Sequence, residues 1–182
     1  MAELAGRTVL VLGGAGKVGS AIALASLEAG ARVAVPSRSP ERLGRLRARA
    51  GALSDRLTTL EADVGREEGA QRVCDAVHER LGAYDGVVVA LGGYWRGGAV
   101  VDTPLDVWRE RLEENLLTHV VAARVFLPPL LARPGSAYVA INGLAADAPR
   151  PGSAPICVTG AAQEMLVRQL AAEHRQSAVR IA

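Results

Sequence analysis

The residues with the most specific chemistry lie between positions 13 and 19. Gly13-Gly14-Ala15-Gly16-Lys17-Val18-Gly19 follows the apolar run Thr8-Val9-Leu10-Val11-Leu12 and precedes a helical pattern. Two spacings fit, Gly14-x-Gly16-x-x-Gly19 and Gly13-x-x-Gly16-x-x-Gly19, and both ask the same of the backbone. The first glycine permits a tight turn from strand to helix, the second lets main chain approach a pyrophosphate, and the last lets helix and strand pack closely. The N-terminus of the following helix supplies free N–H groups and a partial positive charge. Between a strand and a helix, the pattern reads as a dinucleotide site. Lys17, the only lysine in the chain, lies beside Val18 in this loop and within reach of the same phosphates.

The end of the second strand reads Val35-Pro36-Ser37-Arg38-Ser39. A site that prefers NAD(H) places an acid here to hold the ribose hydroxyls. This stretch has none. Ser37 offers a hydroxyl and Arg38 a guanidinium, both suited to a 2′-phosphate. The expected cofactor is therefore NADP(H), with NAD(H) the alternative.

The elements that must position these groups alternate between strand and helix. Strands are predicted at 8–12, 32–35 (ended by Pro36), 57–60, 87–90, 137–141 and 179–181. Helices are predicted at 18–29, 41–50, 66–81, 103–131 and 154–174. Ser39-Pro40 caps the second helix, and Thr103-Pro104-Leu105-Asp106 has the form of a capping box. Apolar strands alternating with helices imply an α/β, three-layer, doubly wound Rossmann fold: a mostly parallel sheet of about six strands with helices on both faces. Such sheets bind ligands beyond the carboxyl ends of their strands. Nothing in the 182 residues marks a linker or repeat, so one domain spanning 1–182 is expected.

Composition excludes several classes. Net charge is only +2, which gives no field for nucleic acid or an anionic membrane. No apolar run is long enough to span a bilayer, and Glu3 and Arg7 interrupt any signal segment, so a cytoplasmic location is expected. Cys74 and Cys157 form no CxxC and read as small packing thiols. His78, His119 and His174 fall on three predicted helices without metal-ligand spacing, so no metal is expected.

The order of features resembles the short-chain dehydrogenase/reductase family over nearly the whole chain. The glycine loop and Arg38 fit its NADP-type cofactor site. Asp63-Val64 fits the pair that contacts adenine, and Val89-Ala90-Leu91-Gly92 stands where the family carries Asn-Asn-Ala-Gly. Asn115 fits the asparagine that supports the active site. Gly152 to Glu173 resembles the active-site helix, through Leu170-Ala171-Ala172-Glu173. The resemblance implies a catalytic tyrosine, a lysine four residues later and a serine. Here Ile156 and Gly160 occupy the first two positions, and Asn142 or Gly143 the third. None of Tyr84, Tyr94 and Tyr138 is followed by a lysine at that spacing.

Three readings follow. The chain is an oxidoreductase acting on a carbonyl or alcohol through substitute groups, with Tyr94 as proton donor and Asn142 or Thr159 as hydrogen-bond donors to the carbonyl. Alternatively it is a catalytically inactive dinucleotide-binding module that acts through a partner. The third reading is a relic or truncated enzyme, because against the family pattern the chain stops as the sixth strand begins, before the last strand and the substrate lid. The sequence names no small-molecule substrate. The resemblance also implies a homo-oligomer, paired through the long fourth and fifth predicted helices with their apolar runs at 116–126 and 165–170.

Overall fold

The computed structural model describes residues 3–182. Six strands, β1 (Thr8–Leu12), β2 (Arg32–Ser37), β3 (Leu57–Glu61), β4 (Gly86–Val89), β5 (Ala137–Ala140) and β6 (Arg180–Ile181), form one sheet in the order β3-β2-β1-β4-β5-β6. Every pairing is parallel. The order reverses between β1 and β4, whose residues pair from Val9 with Gly86 to Leu12 with Val89. That reversal opens a crevice at the carboxyl ends of these two strands. The α/β doubly wound architecture expected from the sequence is thus present.

Alternation along β1 divides the core. Leu10 and Leu12 face one side with Val87, Val89 and Tyr138, covered by α3 (Glu67–Leu81) and α5 (Thr118–Phe126). Val9 and Val11 face the other side with Val33 and Val35, covered by α1 (Lys17–Glu28) and α2 (Pro40–Ala50). Successive strand residues point to opposite faces, so an unbroken apolar strand such as Thr8–Leu12 requires helices on both. On the α1 side, Val88 and Val139 remain only half-buried.

Two sequence expectations are corrected. Pro36 does not end the second strand, which runs to Ser37 and pairs Pro36 with Leu60 of β3. The Ser37 carbonyl accepts from Ala62 on the β3 side, so the nitrogen of Pro36 points toward β1. Pairing with β1 has already stopped at Ala34, and the missing N–H costs no ladder bond. The predicted 103–131 helix is three pieces: α4 (Leu105–Leu112), a π-type turn (Glu113–Leu117) and α5, followed by a 3-10 turn at Pro128–Leu130. The last helix, α6 (Ala154–Glu173), packs beside α4 and the π turn. Buried Gln163 on α6 donates a hydrogen bond from its side-chain amide to the Asn115 carbonyl inside that turn. This gives a partner to a carbonyl within the locally widened turn.

A polar junction ties the N-terminal edge of the sheet together. Buried Asp85 accepts from the Thr8 backbone N–H at 2.8 Å, from Arg7 at 3.1 Å, and from Arg133 through Nε at 2.9 Å and Nη2 at 2.8 Å. Burial pulls its carboxyl upward, but the Thr8, Arg133 and Arg7 hydrogen bonds outweigh it and hold the group below its usual value.

Candidate functional site

The crevice beyond β1 and β4 is a cleft of about 560 Å³. Its floor is the glycine loop. Gly13 has φ +77°, and a Cβ there would stand 2.2 Å from the Ala90 carbonyl oxygen. Only glycine allows β1 to turn beneath the end of β4. Gly14 lies against Val35, whose Cγ atoms would be 2.8 and 2.9 Å from an added Cβ. A Cβ on Gly19 would stand 2.2 Å from the Gly13 carbonyl oxygen, so that glycine sets how closely α1 approaches the loop. Gly16 caps α1 and would crowd only the Gly13 carbonyl, at 3.1 Å. Of the two spacings, the one through Gly13, Gly16 and Gly19 carries the turn, the open approach and the close packing.

The N-terminus of α1 fits a pyrophosphate. No side chain caps it, and its first turn holds no acidic residue. A helix of 12 residues ending this way presents uncompensated N–H groups to an anion. Lys17 and Val18 open the helix with exposed side chains and do not line the cleft; Gly14 and Gly19 lie beneath its floor. Gly19→Ala should lower stability by about 2 kcal/mol in urea unfolding, because the clash with backbone outweighs the helix propensity of alanine.

One wall collects the groups suited to adenosine and its phosphate. Ser37 and Arg38 line it at the end of β2, and Asp63 and Val64 follow β3. The Ser37 hydroxyl accepts from the Ser39 N–H at 3.2 Å, and the Ser39 hydroxyl accepts from the Arg42 N–H, capping α2. Arg38 is largely exposed and makes only a loose pair with half-buried Asp63 at 3.9 Å, so its guanidinium is available to a stronger anion. Arg42 and Arg66 also line the cleft and were not singled out from sequence. The Ser39-Pro40 cap was the available signal, since it turns the first helical residues back over the strand ends. Glu41, Glu113 and Glu114 share the lining. Arg45 pairs with Glu41 at 2.5 Å, and Arg66 with Glu113 at 3.8 Å.

At the far wall, Ala90, Leu91 and Gly92 follow β4. Gly92 has φ +125°. His119 is buried, and its Nε2 lies 3.1 Å from the Leu91 carbonyl, which makes that nitrogen the protonated one. Burial holds its pKa below the ordinary imidazole value, so the ring is neutral and acts by positioning Leu91. Asn115 does not reach the cleft. Its Oδ1 accepts from Gly93 N–H at 2.7 Å, and its amide donates to the Gly93 carbonyl and to Thr159. Thr159 is buried and donates to the Pro155 carbonyl at 2.8 Å. Asn142 donates to the Gly160 carbonyl at 2.7 Å, and its Oδ1 accepts from Gly143. Asn115, Thr159, Asn142 and Gly160 are thereby linked through α6.

The groups that would move a proton are not assembled here. Tyr94 is 76% exposed and lines neither the cleft nor the apolar cavity between the loop after β4 and the start of α6. Burial, and then the neighbouring Cys74, push the Tyr84 phenol far above its usual range; burial does the same to Tyr138. Both belong to the core. A Cβ at Gly160 would lie 3.1 Å from the Ala146 Cβ and 3.2 Å from Asn142 Oδ1, so that position is packed closed. Among the described residues no group of three His, Cys, Asp or Glu could hold a metal ion, and no helix is long and apolar enough to cross a membrane.

A family model described as enoyl-(acyl carrier protein) reductase matches residues 13–182. A short chain dehydrogenase of Pseudocercospora fijiensis is 30% identical over 173 residues, covering 94% of this chain and 56% of that protein. The rhamnolipids biosynthesis 3-oxoacyl-(acyl-carrier-protein) reductase of Pseudomonas aeruginosa is 36% identical over 135 residues, covering 74% of this chain and 52% of that protein. The chain therefore spans about half the length of these relatives. Among solved structures, a short-chain type dehydrogenase/reductase of Mycobacterium ulcerans superposes with a TM-score of 0.92 at 26% identity, covering 98% of this chain and 66% of the other. An NADPH-bound short chain oxidoreductase of P. aeruginosa, described as containing an atypical catalytic center, gives 0.91 at 29% identity, covering 98% and 70%.

Proposed function

This chain belongs to the short-chain dehydrogenase/reductase family of oxidoreductases, and we propose that it binds NADP(H) in the cleft between β1 and β4. The observation that carries this reading is the uncapped, acid-free N-terminus of α1 beside Ser37, Arg38 and Arg42, with no acid at the end of β2. The α1 N–H groups and Gly16 would hold the pyrophosphate. Ser37, Arg38 and Arg42 would hold the 2′-phosphate, and Asp63 and Val64 would border the adenine. Bound there, the nicotinamide would supply two-electron reducing chemistry. The NADPH-bound neighbour described as containing an atypical catalytic center supports this reading, since a cofactor site there accompanies a center that departs from the usual one.

Of the two functional readings, binding without carbonyl reduction is the better supported. Reducing a carbonyl leaves an alkoxide that must receive a proton. The chain offers Ile156 and a closed Gly160 where the family places its acid and lysine, and the Asn142 and Thr159 donors are engaged by main-chain carbonyls. In fluorescence titration NADPH should bind about tenfold or more tighter than NADH. Mixing NADPH with ketones, quinones and pterins should give no oxidation above the protein-free rate. Equal affinities would remove the NADP reading; turnover abolished by Tyr94→Phe would restore the substitute-donor reading.

Self-association is proposed through α4 and α6, which pack together and leave Leu105, Leu112, Val158 and Met165 exposed. Sedimentation at micromolar concentration should give a dimer, and Leu112→Glu with Met165→Glu should give a monomer.

A further inference from the structure

Arg111 on α4 is 7% exposed and is the one buried arginine among the described residues. Its Nη2 pairs with exposed Glu110 at 2.6 Å and with half-buried Glu114 at 3.0 Å. Its Nε has no hydrogen-bond partner among the described residues. Taking a guanidinium out of water and leaving a donor unpaired both destabilise, and an apolar side chain of similar length would fill the same space without either penalty. The contacts that accompany this penalty lie at the far wall of the cofactor cleft. A Cβ on Gly93 would stand 2.3 Å from Arg111 Nη1 and 2.9 Å from Glu114 Oε2, so the ion pair sits directly over the Gly93 Cα. The Asn115 side chain accepts from the Gly93 N–H at 2.7 Å and donates to its carbonyl at 3.2 Å. Gly93 is thus held through its N–H, its carbonyl and its Cα. Leu91, whose carbonyl accepts from His119, and Gly92, with φ +125°, precede it and line the cleft, as does Glu114.

We propose that Arg111 is a positioning residue: paired with Glu114 over Gly93, it fixes the Leu91-Gly92-Gly93 wall against which the nicotinamide half of the cofactor rests. The proposal builds on the NADP(H) reading above, in which adenosine lies at the Ser37 and Arg38 wall and the nicotinamide half at the wall opposite. Glycine loses more conformational freedom on ordering than any other residue, and two stand here in succession. Where the wall is ordered before the ligand arrives, binding does not carry that entropy loss. A guanidinium suits the task, because its planar fork can engage a carboxylate and lie over main chain at once, which a rotatable ammonium cannot do.

The test is titration of NADPH and of adenosine 2′,5′-bisphosphate, which carries the 2′-phosphate but no nicotinamide, into wild type, Arg111→Met, Gly93→Ala and the double variant. Arg111→Met should weaken NADPH about tenfold and change the bisphosphate by less than about twofold. Gly93→Ala should weaken NADPH by a similar factor in wild type, because its Cβ displaces the guanidinium. In the Arg111→Met background it should add less than about twofold. Bisphosphate affinity and the urea midpoint report whether each fold is retained. Should Arg111→Met unfold, Arg111→Lys, which keeps the charge without the fork, should show a smaller loss for NADPH alone. Equal losses for the two ligands, an unchanged NADPH affinity, or additive effects of the two substitutions would overturn the positioning role and leave the cofactor site standing. Binding of neither ligand to wild type would overturn the cofactor reading itself, and this role with it.

Discussion

Arg38→Asp is expected to reduce NADPH affinity by about 100-fold while changing NADH affinity by less than about threefold. A charge-assisted hydrogen bond to phosphate is worth roughly 1.5–3 kcal/mol, and the substitution also places like charge against the 2′-phosphate. NADH lacks that phosphate and meets a carboxylate able to accept from its ribose hydroxyls. Competing effects within the fold are small. Arg38 is 75% exposed, and its only pairing is the 3.9 Å contact with Asp63, so stability should stay within about 0.5 kcal/mol of wild type. Direct titration of both cofactors into wild type and variant checks it. An equal loss for NADPH and NADH would place Arg38 outside the 2′-phosphate contact.

Asp85→Asn is expected to cost about 2 kcal/mol of folding stability at neutral pH, and Asp85→Ala about 3 kcal/mol. The carboxylate is buried and receives four hydrogen bonds from Thr8, Arg7 and Arg133. Arg7 and Arg133 are 47% and 40% exposed and recover water when the charge is lost, which limits the penalty; the Thr8 N–H within β1 does not. The pH dependence has a definite sign. The folded pKa lies below the unfolded value, so the stabilisation is fully present above the unfolded carboxylate pKa of about 4. It disappears as pH falls through the lower folded value. Urea unfolding should therefore show a gap between wild type and Asp85→Asn that is flat from about pH 5 to 8 and narrows below about pH 4. A gap that widens on acidification would contradict this role.

The parts of the fold that follow from hydrophobic period were legible in the sequence. Thr8–Leu12 and Val33–Val35 are apolar on both faces, which only a covered parallel sheet accommodates. The glycine loop was legible for the same reason: its spacing encodes close approaches, and Gly13 and Gly19 make them. Pro36 misled because a proline ends a strand only where its nitrogen faces a partner, and that depends on where β1 stops pairing. The π turn at Glu113–Leu117 is held by tertiary packing rather than by local pattern: its stabilising partner, Gln163, is 48 residues away in sequence. At the site, sequence located the chemistry by type but not by direction. Lys17 sits at the loop yet does not line the cleft, whereas Arg42, one of many arginines in sequence, does. Asn115 and Asn142 were candidates for the reacting centre, but their amides are held by main chain and by each other's neighbours, a fact that only the packing of α6 reveals.

The central claim, that the α1 N-terminus and the end of β2 form one NADP(H) site, is tested most directly by amide NMR of the isotope-labelled chain during NADPH titration. The predicted result is saturable shifts at Gly16, Lys17, Val18 and Arg38, with little change at Gly97 and Gly152, which line the apolar cavity beside α6. No shift at the α1 N-terminus at millimolar NADPH, or shifts confined to that apolar cavity, would contradict it.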